Sequence, residues 1–229
     1  MLGPLASHRP WPARRTLVAV TWWSERVVPH LTDVALRSQE IGELREETCR
    51  GLRGRVLEIG FGSGLNLRFY PLEVSSVAAV EPSDVGWKLS AERRARTDVR
   101  VERSGLDGQH LAEDDASFDS ALVTFSLCSI ADPALALDEV RRVLKPGASL
   151  HFLEHGLAPD AGVARWQRRL DPVQRRVFAG CHLSRDVAAL VGAAGLEVTE
   201  LRTEYQPGPR VARPWTYGYL GRAVRAGDA

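Results

Sequence analysis

The chain has 229 residues, 44% of them hydrophobic and 26% charged, with a formal net charge of +1. That length fits a single α/β domain, and the near-neutral balance supplies no field for a nucleic-acid partner or an anionic membrane surface. Cys49, Cys128 and Cys181 are far apart and form no C-x-x-C pair, so no metal site or disulfide framework is expected and a reducing, cytoplasmic setting fits.

No apolar run approaches the roughly 20 residues of a membrane span, so no integral membrane association is expected. Residues 1–20 read as a flexible N-terminal tail, with Pro4, Pro10 and Pro12 among scattered arginines. Arg14-Arg15 precedes the apolar Leu17-Val18-Ala19-Val20, but that run is too short for an export signal and Trp22-Trp23-Ser24 follows where a cleavage site would stand. Residues 21–229 form one domain. Its first part, 21–50, carries Val27, Leu31, Val34, Ile41 and Leu44 at helical spacing. It is expected to form an N-terminal helical cover, broken at Pro29 and Gly42.

From residue 55, strands and helices alternate. Residues 55–60 read as a buried strand, and Leu65 to Tyr70 begin a helix that Pro71 stops. Residues 76–80 are a second strand, after which Ser83 caps a helix to about Arg96. Residues 99–103 and 118–125 are the third and fourth strands. Asp132 caps, and Pro133 opens, a helix to Leu144. The turn Lys145-Pro146-Gly147 leads to a fifth strand at 149–153. Residues 156–183 interrupt the rhythm as an insertion. There Trp166, Leu170, Val173 and Val177 form an apolar helical face, broken near Pro172, beside Arg165, Arg168, Arg169, Arg175 and Arg176. This reads as an amphipathic lid with a solvated basic face. Ser184 is expected to cap a helix over 186–193, ended by Gly195. Residues 196–201 and 216–224 complete the set as sixth and seventh strands. The fold class is therefore α/β: a seven-stranded, mostly parallel sheet with helices on both faces. The last two strands lack a connecting helix and predict an antiparallel C-terminal edge hairpin.

The strongest local signal is Glu58-Ile59-Gly60-Phe61-Gly62-Ser63-Gly64, where the first strand turns. Bare backbone at Gly60 and Gly62 permits turns and close approach that a side chain blocks. Gly64 is expected to let a helix pack tightly and present its first N–H groups to a ligand. A dinucleotide-binding G-x-G-x-x-G loop would need its last glycine at residue 65, which is leucine. Glu58 would also oppose a pyrophosphate. It suits instead a ligand with a sulfonium, an ammonium and no phosphate, namely S-adenosyl-L-methionine. Glu81 lies 21 residues beyond Gly60, and its two oxygens can accept from a vicinal diol.

This segment resembles motif I of the class I S-adenosylmethionine-dependent methyltransferases, and the similarity runs from about residue 50 to 224. Val80-Glu81-Pro82 resembles the strand end that holds the ribose hydroxyls. Leu106-Asp107-Gly108-Gln109-His110-Leu111 resembles the loop whose acidic residue accepts from the adenine amino group. Phe118-Asp119 with Phe125-Ser126-Leu127-Cys128 resembles the fourth strand and its exit beside the transferred methyl. Glu139 to Gly147 is similar to the helix and turn before the fifth strand. The type 11 small-molecule methyltransferases and the animal thiol methyltransferase-like proteins share Glu154-His155, the Gly180 to Arg185 stretch and Tyr217-Gly218-Tyr219. The resemblance implies a Rossmann-like fold and S-adenosyl-L-methionine as cofactor. It implies cofactor contacts at Glu58, Gly60, Gly62, Gly64, Glu81, Asp107, Gly108 and Ser126.

A sulfonium methyl is already activated, so the protein's task is alignment and exclusion of water. A base helps when the acceptor is a neutral thiol, hydroxyl or protonated amine. His155, at a strand's carboxyl end, is the candidate catalytic residue; the alternative is a structural histidine bonded to backbone. Glu154 reads equally as a hydrogen-bond anchor. Cys128 reads as packing, and Cys181 and His182 as structural or pocket-lining. Trp22, Trp23 and Trp166 are expected as apolar walls around a small, apolar acceptor. The acceptor atom, oxygen, sulfur, nitrogen or carbon, stays open. Absence of an Asn-Pro-Pro-Tyr motif and near-zero charge argue against nucleic-acid and protein-amide substrates. Two rival readings are a nicotinamide-dependent oxidoreductase and a non-catalytic scaffold that keeps the fold.

Overall fold

The computed structural model describes residues 22–227; the tail expected over 1–20 lies outside the described residues. Among the described residues three helices precede the sheet: α1 (Trp22–Arg26), α2 (Val28–Ala35) and α3 (Gln39–Cys49). Pro29 does not break α2. It occupies the first turn, where its missing N–H has no intrahelical partner to lose. Gly42 lies inside α3 rather than at a break. The real interruption is at residues 36–38, where the Ser38 hydroxyl accepts from the Ile41 N–H and starts α3.

The strands are β1 (Gly54–Ile59), β2 (Val74–Val80), β3 (Arg100–Gly105), β4 (Phe118–Thr124), β5 (Leu144–His155), β6 (Leu196–Tyr205) and β7 (Tyr217–Arg225). They form one sheet in the order β3-β2-β1-β4-β5-β7-β6. The first five pair in parallel, and β7 runs antiparallel to both β5 and β6. The C-terminal hairpin is thus as expected, with the seventh strand inserted between the fifth and the sixth. Lys145-Pro146-Gly147 does form an excursion: Leu144 pairs with Phe118 and Ser149 with Ser120, so the residues between bulge out of the ladder.

The remaining helices are α4 (Asp84–Leu89), α5 (Ala91–Ala95), α6 (Pro133–Val143), α7 (Ala161–Val177), α8 (Val187–Ala193) and α9 (Arg213–Thr216). Four local expectations are corrected. No α-helix follows the glycine loop; Leu67–Phe69 make a single 3-10 turn. The helix after Ser83 is split at buried Ser90, whose hydroxyl donates to the Trp87 carbonyl at 2.7 Å. Pro172 lies within α7 without ending it. Ser184 does not cap α8. Its hydroxyl donates to Asp171, and Asp186 takes the cap, accepting from the Ala189 N–H at 3.1 Å.

Both faces of the sheet are covered, because alternate residues of each parallel strand point to opposite sides. Leu57 and Ile59 of β1 join Phe118, Phe152, Leu137 and Val140 in one core that α6 and α8 complete. Val56 joins Cys49, Leu52, Val77 and Leu122 on the other face. Strand order reverses direction between β1 and β4, and the carboxyl ends at such a switch point are the usual ligand position in these sheets. Among the described residues no helix is long and apolar enough to cross a membrane.

Asp132 accepts from the Ala134 and Leu135 N–H groups at 3.1 and 3.3 Å, ahead of Pro133. Asp132→Ala is expected to lower stability by about 1 kcal/mol. The check is a denaturant titration, in which the midpoint should fall at unchanged slope.

Candidate cofactor and acceptor site

The glycine loop leaves β1 and is tied at once to β2: the Gly60 and Phe61 N–H groups both donate to the Val80 carbonyl, at 2.9 and 3.3 Å. Gly60, Gly62 and Gly64 have φ of 73°, 58° and 74°, a left-handed region that side chains disfavour. Their surroundings differ. A Cβ on Gly60 would stand 1.7 Å from Ser126 Oγ, so this position lets the loop pack onto the exit of β4. A Cβ on Gly64 would meet Leu67 at 2.9 Å, inside the loop's own packing. On Gly62 the nearest atom would be the Gly60 oxygen, 3.9 Å away. Gly62 is therefore the open position, where a ligand can approach the backbone. The expected helix N-terminus behind Gly64 is not formed, and the Gly64 N–H donates to Phe61 instead.

Glu81 holds the loop from the end of β2. Its carboxylate accepts from Gly62 N–H at 2.5 Å and Ser83 N–H at 2.7 Å. Burial raises its pKa against these bonds and the nearby Arg103 charge. Each oxygen keeps a lone pair for a further donor. Glu58 is fully buried. It accepts from Asn66 Nδ2 at 2.7 Å and from the Tyr70 hydroxyl. Burial pushes its carboxyl up to about 8, against the Asn66 bond and the charge of Arg45. Arg45, on α3, donates to Asn66 Oδ1 at 2.7 Å and Thr124 Oγ1 at 3.0 Å, and burial lowers its pKa to about 10. Glu58 thus stands behind the glycine loop, in a closed polar network, rather than beside it.

Asp107 is half-exposed and accepts from the backbone and side chain of Gln109 at 2.9 Å. It is not bonded to the other predicted site residues. Its neighbour Gly108 is buried, and a Cβ there would stand 3.0 Å from Ile59, so this loop lies over the end of β1.

The β4 exit is held by Glu154. One of its oxygens accepts from the Ser126 and Leu127 N–H groups at 2.7 and 3.0 Å, the anchor reading of that residue. Phe125, just before, has φ of 52°, a strained conformation for a non-glycine residue. Beyond it the fold joins residues remote in sequence. His155 Nε2 lies 3.1 Å from Cys181 Sγ, and the His182 N–H donates to the Cys128 carbonyl at 2.8 Å. His155 is bonded to a side chain, not to backbone.

Sequence reasoning missed Asp33, Arg45, Asn66, Tyr70 and Thr124. Asp33 of α2 accepts from Ser63 Oγ at 2.6 Å, while Arg93 pairs with Asp33 at 3.1 Å and donates to the Ser63 carbonyl at 2.8 Å. The N-terminal helices are thereby latched to the glycine loop. Only the i,i+4 spacing of Asp33 in α2 and Arg37 just beyond its end is a readable signal. Trp22, Trp23 and Trp166 are 66%, 40% and 56% exposed. Trp23 instead donates to the Val177 carbonyl at 2.8 Å, joining α1 to the end of α7.

The methyltransferase-domain family matches residues 57–152. The chain is 34% identical over 176 residues to thiol S-methyltransferase TMT1B of Rattus norvegicus, covering 74% of this chain and 70% of that one. It is 30% identical over 174 residues to human thiol S-methyltransferase TMT1A, covering 72% and 69%. An S-adenosylmethionine-dependent methyltransferase structure from Methanosarcina mazei shares the fold with a TM-score of 0.60 at 21% identity, covering 80% of this chain and 97% of that one. Fold, loop and relatives together define an S-adenosylmethionine-dependent methyltransferase, and the chain belongs to that family. The nicotinamide alternative is not favoured. The residues present fit the cofactor: Gly62 is open to a ligand, and Glu81 beside it retains lone pairs for a diol.

Left-handed strain of about 1–2 kcal/mol is expected in Gly62→Ala. Gly60→Ala adds the overlap with Ser126 and should lose about 3 kcal/mol or more. Parallel thermal and denaturant unfolding of the two variants measures the difference; equal losses would contradict the packing described at Gly60.

Proposed function

We propose that the protein transfers the methyl group of S-adenosyl-L-methionine to a small thiol. The observation that carries this reading is the 30–34% identity to thiol S-methyltransferases over about 70% of their length. A buried thiol–imidazole wall at the β4–β5 exit supports it. Bound S-adenosylmethionine supplies a methyl carbon already activated by the sulfonium charge. The chain's own residues bind, align and exclude water. Glu81 takes the ribose hydroxyls, and Gly60, Gly62 and Gly64 shape the backbone against the amino-acid end. Glu58 stands behind that loop and gains its negative charge as the cation binds. Asp107 and Gly108 border the adenine, and Ser126 closes the floor next to Gly60. His155 acts on the acceptor and not on the cofactor. The helical cover of 21–50 and the insertion of 156–183 enclose the acceptor side, and three free cysteines suit a reducing, cytoplasmic setting.

Incubation with labelled methyl donor and a panel of thiols, phenols and quinols tests this reading. Label is expected on the thiols; silence across the panel, with S-adenosylhomocysteine still bound, would favour the scaffold reading. Glu81→Ala is expected to weaken S-adenosylhomocysteine binding about 10- to 100-fold, the range for a lost charge-assisted hydrogen bond. His155→Ala should lower turnover about 100-fold while leaving that affinity within about twofold.

The cationic cofactor favours ionised Glu58, whose carboxyl burial and the nearby Glu81 charge hold up to about 8 against the Asn66 bond and Arg45. Below pH 8, binding should therefore release a proton, and affinity should rise with pH until about 8. Calorimetry in buffers of different ionisation enthalpy reads the proton directly. The release is expected to vanish in Glu58→Gln.

A further inference from the structure

Cys128, His155 and Cys181 come from three separate places: the exit of β4, the last residue of β5, and the loop after α7. Their ligand atoms all lie within 4.8 Å of one another. Both cysteines are free and buried. The backbone bond from His182 to the Cys128 carbonyl fixes the two cysteine segments side by side. Their spacing in sequence resembles no metal-binding pattern, so only the fold reveals the group.

Two features of this cluster are unexplained by packing. His155 Nδ1 is buried without a partner, and so is the neighbouring Glu154 Oε2. Native interiors rarely leave such atoms unmatched. Hydrogen bonding with the Cys128 sulfur, together with burial, also pushes the Cys181 thiol up.

The donor set is two sulfurs and an imidazole, with no carboxylate among the three. That is a soft set, suited to zinc and unsuited to magnesium or calcium. Tetrahedral zinc, with bonds of about 2.3 Å to sulfur and 2.0–2.1 Å to nitrogen, sets its donors roughly 3.6–3.8 Å apart. The three ligand atoms, within 4.8 Å of one another, lie about 1 Å or less beyond that spacing. A site with three protein ligands keeps its fourth position open.

We propose that Cys128, His155 and Cys181 hold a zinc ion whose fourth coordination position is open to water or to an acceptor thiolate. Binding releases the two thiol protons to solvent. Two thiolates balance the dication, so the buried site gains no net charge beside Arg185, which donates to the Ile130 carbonyl at 2.7 Å. Cys128 is two residues beyond Ser126, against which Gly60 packs. The ion therefore stands on the acceptor side of the cofactor cradle, and His155 acts on the acceptor through it. The open position as a thiol site rests on the proposed function; the metal binding does not.

The full chain, purified under reducing conditions and stripped with chelator, is titrated with Zn²⁺ and separately with Co²⁺. One zinc per chain is expected to survive dialysis. Cobalt is expected to give a near-ultraviolet thiolate charge-transfer band and the intense visible bands of tetrahedral coordination. Cys128→Ser and Cys181→Ser should each lower zinc affinity at least about 100-fold, with far-ultraviolet circular dichroism and S-adenosylhomocysteine binding retained. Absence of stoichiometric zinc, or a cobalt spectrum without charge transfer, overturns the site, and the wild-type spectrum decides even if a variant misfolds. Adding a small thiol to the cobalt protein should shift its bands; an unchanged spectrum overturns the open position. Loss of S-adenosylhomocysteine binding with zinc still held would count against the methyltransferase reading alone.

Discussion

A carboxylate withdrawn from water must be given donors, and at the carboxyl edge of this sheet three glutamates meet that demand in the same region. Glu81 takes the Gly62 and Ser83 N–H groups, and Glu154 takes those of Ser126 and Leu127. Glu58 takes Asn66 and Tyr70. Two of the three thereby turn loop backbone into ligands of a buried acid. The loops are fixed not by their own propensity but by the need to satisfy those oxygens. This explains how Phe125 can persist at φ of 52°: the two N–H groups that follow it are both bonded to Glu154, so relaxing the strain would strand a buried charge.

The same arrangement sets the electrostatics of the crevice. Glu58 and Glu81 both have raised pKa values, because burial outweighs the bonds they accept. An acid destabilised in this way is relieved by a cation arriving at its side of the loop, whereas a pyrophosphate would add to the strain. Preference for a sulfonium nucleoside therefore follows from burial at two strand ends, as much as from the open backbone at Gly62. The latch of Asp33 and Arg93 on Ser63 closes the outer side of the same loop. The N-terminal helices are thus tied to the glycine loop by a buried ion pair.

What was legible in the sequence was what repeats along it. The seven strands, the glycine loop and the Asp132-Pro133 helix start all rest on periodicity or on one residue's backbone preference, and each appears where it was expected. The misreadings share a cause: a local signal was overridden by a long-range partner. Ser184 is a fair cap, but Asp171 claims its hydroxyl and Asp186 caps instead. Residues after Gly64 have helical apolar spacing, yet Asn66 and Tyr70 turn inward to Glu58 and leave only a 3-10 turn. Gly42 and Pro172 were read as breakers, but packing tolerates both within helices. Of the site, the glycines and Glu81 could be read from spacing. Arg45 and Thr124 could not, since their roles exist only once α3 crosses the sheet.

The acceptor side shows the limit most clearly. Cys128, His155 and Cys181 are separated by 27 and 26 residues, and each alone reads as an ordinary core residue. What unites them is topology: β4 and β5 are parallel neighbours, so their exits lie side by side, and the chain after α7 returns across both. The chemistry of such a wall is selective. Methyl transfer from a sulfonium creates no charge that needs an oxyanion hole, so the difficulty lies in presenting a deprotonated nucleophile inside a dry crevice. A hydroxyl acceptor would need a strong base there, and the side chains gathered at the wall include two buried sulfurs, one imidazole, Ser129 and Gln174, none of them a strong base. A thiol demands far less, because its pKa near 8.5 needs only a modest nearby positive charge to bring it to the thiolate at neutral pH. Under the proposed function, sulfur is the acceptor atom that suits such a wall, because its proton leaves without a strong base.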